Sequence, residues 1–144
     1  MTIRPASVTD VPRLIEMGAR FIAETAYRDL VSANPTRMTD IVSSVMDSPD
    51  GVVLVSETNA HVTGMIGVMV YAHPFSGERT GFDLFWWIDP EARGHGVRLM
   101  RAAEQWASDH GATKMQMVAP NPRVETLYER LGYQAVEVAY QRSL

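Results

Sequence analysis

The stretch Arg93-Gly94-His95-Gly96-Val97-Arg98 has the residue types and spacing to bind a phosphate. Backbone N–H groups at a helix start have no partner within the helix. Together they carry about half a positive charge, and glycines let an anion approach the bare backbone. Arg93 and Arg98 are candidates for charge-assisted contacts to phosphate oxygens, the alternative for each being a solvated charge at the helix start. For this chemistry the stretch must follow a strand and open a helix. Residues 82–88, Phe-Asp-Leu-Phe-Trp-Trp-Ile, read as a buried strand, and residues 99–107 read as a helix.

Several phosphate seats share such glycines. A P-loop closes on Lys-Ser or Lys-Thr, whereas Val97 and Arg98 follow the last glycine here. A dinucleotide fingerprint needs a third small residue where Leu99 stands, and an acidic residue ending the next strand, where Met115-Gln116-Met117-Val118 has none. A structural turn that binds nothing is a further alternative. The order Arg, two residues, Gly is similar to the pyrophosphate loop of the GNAT superfamily, the acyl-CoA-dependent N-acyltransferases. Arg93 and Gly96 match its first fixed positions, and Arg98 stands where Gly or Ala is usual. A second stretch, Asn121 to Tyr133, resembles the superfamily's other hallmark: an Asn ending a strand, a short helix carrying Leu127-Tyr128, then Gly132-Tyr133. Ile3-Arg4-Pro5-Ala6 followed by Asp10 resembles its opening strand and helix cap.

The resemblance implies transfer of an acyl group, usually acetyl, from acetyl-CoA to a primary amine by direct attack in a ternary complex, with no metal. It places CoA contacts at Ile88, Arg93, Gly94, His95, Gly96, Val97, Arg98 and Asn121. It implies that Tyr128 protonates the departing thiolate, a task suited to a neutral phenol of ordinary pKa near 10. A packed helix tyrosine is the alternative. The base that frees the amine lone pair is less determined. Gln116 stands where some relatives carry Glu, and an amide cannot act as a base. Asp83 lies on the strand before the loop, but strict alternation puts it opposite Leu84, Trp86 and Ile88. A bulge would be needed to turn it inward. Glu57 and His73 are weaker candidates. Trp86 and Trp87 face opposite sides of that strand, either one packing under a helix and the other lining an acceptor cleft, or both packing in the core of a doubly covered sheet. The loop from His73 to Gly81 is a candidate acceptor-side lid.

Periodicity supplies the elements that must hold these groups. Strands are expected at 2–5, 51–56, 62–71, 82–88, 114–119 and 133–140. Helices are expected from Val11 to Ile22, around 38–46 between Pro35 and Pro49, from Gly96 to about His110, and from Pro122 to Gly132. Met65, Met69, Met115 and Met117 read as core strand residues. The order β-α-α-β-β-β-α-β-α-β implies a mixed α/β (α+β) domain over 1–144, with a mostly antiparallel sheet flanked by helices. It lacks the superfamily's usual final strand. A gap beside residues 114–119 would then expose backbone groups that must be paired. Either the last strand slides in, or a second copy covers the opening, so a homodimer through the C-terminal region is expected.

Composition narrows the classes further. A chain of 144 residues with 46% hydrophobic content suits one core. A formal charge of −4 argues against nucleic-acid binding. The absence of cysteine excludes disulfides and thiol catalysis, and the four histidines lack metal-ligand spacing. With no signal peptide and no long apolar run, a cytoplasmic protein without membrane partners is expected. A non-catalytic acyl-CoA-binding or regulatory module on the same fold is the alternative to an enzyme that acylates a small-molecule or peptide amine.

Overall fold

The computed structural model describes all of residues 1–144. Five strands form one sheet in the order β1-β2-β3-β4-β5: β1 (Thr2–Pro5), β2 (Gly51–Thr58), β3 (His61–Ala72), β4 (Arg79–Ile88) and β5 (Lys114–Gln116). β1 to β4 pair antiparallel with their neighbours, and β5 runs parallel to β4. The β2–β3 turn places Asn59 and Ala60 at φ 51° and 64°, the twisted geometry that tight hairpins favour. Four helices flank the sheet: α1 (Val11–Glu24), α2 (Pro35–Asp47), α3 (Gly96–Asp109) and α4 (Pro122–Arg130). None of them is long and apolar enough to cross a membrane. The mixed, mostly antiparallel architecture is the expected one.

Both faces of the sheet are covered, which is why residues 52–56 of β2 are all buried. On one face Leu14 and Met17 of α1 and Val42 and Val45 of α2 pack on Val53, Val55, Met65 and Trp87. On the other, Leu99, Ala103 and Ala107 of α3 pack on Val52, Leu54, Ile66 and Val68. The opening strand is tied to the turn that enters α1. Asp10 takes two bonds from Arg4, at 2.7 and 3.0 Å, and the Ser7 N–H at 2.7 Å. The Arg4 bonds come first in lowering the Asp10 carboxyl to about 2.

Two expectations fail at the C-terminal half. β5 stops at Gln116 instead of running to Ala119, and residues 133–140 do not form a strand. Gly132, at φ 93°, ends α4, and after Tyr133 the chain makes no backbone hydrogen bond. Val136 and Val138 are 69% and 76% exposed, so their alternation covers nothing. A period of two permits a strand, but a paired edge is what stabilises one. The last segment therefore does not slide in beside β5.

Candidate active site

The site begins with a one-residue irregularity in β4. Gly67 of β3 pairs with Phe85, but the next residue, Val68, pairs with Asp83, so Leu84 is the extra residue of a bulge. Without it Asp83 would share a face with Phe85 and Trp87. With it, Asp83 lies on the face of Val68, Trp86 and Ile88, because a shift of one residue moves a side chain across the sheet. Leu84 is 42% exposed and lines the cleft described below. The signal for this bulge was Gly67, a glycine inside a strand pattern. A Cβ there would stand 2.5 Å from the Phe85 ring.

The bulge also marks where the sheet opens. β4 and β5 pair only from Thr80 to Phe82 against Lys114 to Gln116. Beyond that point β4 runs on to Ile88 with β3 alone. Two side chains meet the departing strand at one residue. The Val118 N–H donates to Asp83 Oδ1 at 3.0 Å, and the Tyr128 hydroxyl donates to the Val118 carbonyl at 3.1 Å. Burial pushes the Asp83 carboxyl up to about 6, while the bond from Val118 pulls it back down. Burial first, and the Asp83 charge second, push the Tyr128 phenol above its ordinary range, so it stays protonated. The Tyr128 ring stacks on Trp86, with centroids 6.0 Å apart and planes at 18°.

The parted strands join the two faces of the sheet through a cleft of about 410 Å³. On one side it is walled by α1, α2 and the chain between them, including Phe21, Tyr27 and Met38. On the other it reaches Val118, Pro120 and Val124, with Asp83 and Trp86 between. This is where the tertiary structure adds residues that sequence reasoning missed. The α1–α2 wall carries no motif, only helical periodicity that reads as core. The lid expected at His73 to Gly81 is not part of the cleft. That loop sits at the start of β4, tied down by Lys114 to Glu78 at 2.8 Å, while the cleft opens further along the strand. The weaker base candidates are also elsewhere: Glu57 bonds Arg4 at 3.1 Å, and His73 Nδ1 accepts the Phe75 N–H at 3.2 Å. Gln116 Oε1 accepts the Tyr71 hydroxyl at 3.0 Å.

The glycine turn follows the open edge of β4. Pro90–His95 is wound as a 3-10 helix, kinked at Ala92, that runs into α3. Arg93 and Arg98 are exposed and carry no ion pair within the chain. Around Gly94 a Cβ would meet nothing within 4 Å. Gly96 is different: a Cβ there would lie 3.3 Å from both Ile88 and Trp86, so packing alone requires it to be small. Val97 is half-buried in the first turn of α3. Trp86 Nε1 and His95 Nδ1 are buried beside this turn without a hydrogen-bond partner in the chain. Asn121 caps α4, its Oδ1 accepting the Val124 N–H at 3.1 Å.

The turn is held from the α1 side. Asp89 is buried and accepts from Arg13, from Arg20 at 3.0 Å and from Trp87 Nε1 at 3.0 Å. A carboxylate with three donors fixes the exit of β4 against α1. The two tryptophans thus divide as the alternation requires, Trp87 into the core and Trp86 onto the cleft.

A five-stranded mixed sheet whose single parallel pair parts after three residues, with a glycine turn leading from β4 into α3, defines a mixed α+β class of fold. The chain belongs to the acetyltransferase (GNAT) family, whose sequence model matches residues 20–133. Its fold is similar to that of a transcriptional regulator from Bacillus halodurans C-125, at 19% identity over 99% of each chain, with a TM-score of 0.81. It is similar to an aminoglycoside antibiotic 6'-N-acetyltransferase from Acinetobacter haemolyticus, at 20% identity over 100% of this chain and 98% of that one, with a TM-score of 0.77. A ribosomal-protein-alanine N-acetyltransferase from Brucella melitensis is similar at 16% identity, over 99% and 98% of the two chains, with a TM-score of 0.76. None of the curated proteins matches this sequence.

Proposed function

We propose that this protein is an acetyl-CoA-dependent N-acetyltransferase that acylates a primary amine by direct attack. The observation that carries the reading is the placement of Asp83 and Tyr128 on the N–H and C=O of one residue, Val118, where β4 and β5 part. Asp83, ionised above pH 6, takes one proton from the ammonium and later sheds it to water. The freed lone pair bonds to the acyl carbonyl carbon, the C–S bond breaks, and its electron pair leaves on sulfur. Tyr128 gives its proton to that sulfur, and the second amine proton replaces it on the phenol oxygen. A hydroxyl hydrogen rotates to suit its acceptor, so the bond to Val118 is readily given up. Proton uptake by Asp83 also removes one of the two causes that raise the Tyr128 phenol, making it a better acid when the thiolate forms. Arg93, Arg98 and the backbone of 94–98 would hold the pyrophosphate, and the open edge of β4 would pair with the amide-bearing arm of CoA. Release of CoA thiol from acetyl-CoA, dependent on an added primary amine, tests the reading. Tight CoA binding without release for any amine would favour the non-catalytic module.

The CoA seat has its own test. Gly94→Phe fills space that the fold leaves open, so the variant should melt like wild type. Calorimetry is expected to show CoA affinity at least about tenfold weaker, the loss of one or two charge-assisted bonds. Unchanged affinity would remove residues 93–98 from the CoA site.

We propose further that two copies associate through the C-terminal region. β5 has β4 on one side only, and the segment after Tyr133, with Val136, Val138 and Tyr140 exposed, forms no ladder. An open edge and an unpaired alternating segment on one molecule suit exchange between two. Light scattering at micromolar concentration is expected to give a dimer, and a monomer for a chain cut after Tyr133. A wild-type monomer would sink the idea.

A further inference from the structure

We infer that the acceptor is an amine on an apolar body, an alkylamine or arylalkylamine, with no carboxylate beside the amine and no further cationic group. The inference rests on the acyltransferase reading above and follows from the walls of the cleft. Fifteen of its nineteen lining residues are hydrophobic, and only Asp83 and Arg37 are charged. Its volume of about 410 Å³ suits a small molecule rather than a folded partner. Phe21, Tyr27, Phe85 and Trp86 offer faces and edges for a flat ring.

The charges decide what else the molecule can carry. One ammonium can be met by Asp83. A polyamine or an aminoglycoside would bring several more cations against apolar walls that hold no second carboxylate, and desolvated unpaired charge is strongly disfavoured. An α-amino acid fails for the opposite reason. Its carboxylate is one carbon from the nitrogen and would lie beside Asp83. The lining residues of β4, the exit of β5 and α4 include no cation to receive it. Arg37 is exposed, in the first turn of α2.

Steady-state rates with acetyl-CoA and a set of amines test this directly. 2-Phenylethylamine or hexylamine should exceed phenylalanine, spermidine and an aminoglycoside in kcat/KM by about 100-fold, the scale of discrimination a pocket achieves without editing. Equal or better use of any of those three overturns the inference. So does a preference for octanoyl-CoA over acetyl-CoA, which would give the cleft to the acyl chain. Gly18→Met supplies an independent arm. Gly18 and Met38 both line the cleft, and a Cβ at Gly18 comes within 2.5 Å of the flexible end of Met38, so the added side chain takes up space in the cleft wall. The variant should raise KM for 2-phenylethylamine about tenfold and leave CoA affinity unchanged; an unchanged KM counts against the cleft as the amine site. Binding of 2-phenylethylamine in the presence of CoA, by calorimetry, separates the two levels of the argument. Binding without turnover defeats the acyltransferase reading and keeps the ligand class. Absence of both binding and turnover defeats the ligand class itself.

Discussion

In Asp83→Asn, kcat is expected to fall by about two to four orders of magnitude, the usual contribution of a positioned general base. The amide keeps an oxygen for the Val118 N–H, so the bulge and the parted strands should survive. What is lost is the ability to take a proton. The pH dependence has a definite sign. The wild-type carboxyl, raised by burial to about 6, must be ionised to act, so kcat/KM for a given amine should gain a limb that rises through about pH 6. That limb should be absent from the residual rate of the variant. Stability discriminates a chemical role from a structural one. A carboxyl whose folded value lies above its ordinary 3.8 binds its proton more tightly in the native state. It therefore favours the fold at low pH, and that contribution is lost as pH rises through the folded value. At pH 8 the variant should melt no lower than wild type. A large drop in melting temperature, or a wild-type kcat, would remove Asp83 from the chemistry.

Tyr128→Phe is expected to lower kcat by about ten to ten-thousandfold, the range spanned by loss of a general acid. The phenyl ring keeps the stacking on Trp86 and the packing of a side chain that is only 6% exposed. The lost hydrogen bond is worth about 1 kcal/mol. The carbonyl left behind belongs to Val118, a residue 63% exposed, so water can replace the partner. The fold should therefore be nearly unaffected, and CoA affinity with it. A full rate in the Phe variant, measured by thiol release under saturating amine, would show that sulfur leaves without help from this residue. The two variants are not expected to be additive, since both groups act on one proton inventory at one backbone position.

Several parts of this protein are legible in its amino-acid sequence. The turn at 93–98, which leads from β4 into α3, and the helix start at Pro122 are local devices. Each is set by residues a few positions apart, and each sits where the spacing places it. Most helices and strands are legible for the same reason, because periods of 3.6 and 2 are recorded in a single segment. The tertiary structure decided the rest. Whether Asp83 faces the cleft depends on a single extra residue in the register between β3 and β4, which alternation along one strand cannot reveal. The cleft is assembled from residues 14–42, Met65 and residues 83–124, segments that share no pattern and meet only because β5 leaves β4 after three pairs. The segment after Tyr133 has the alternation of a strand and no strand forms, because pairing needs a second backbone edge brought into register, and only the folded arrangement supplies or withholds one.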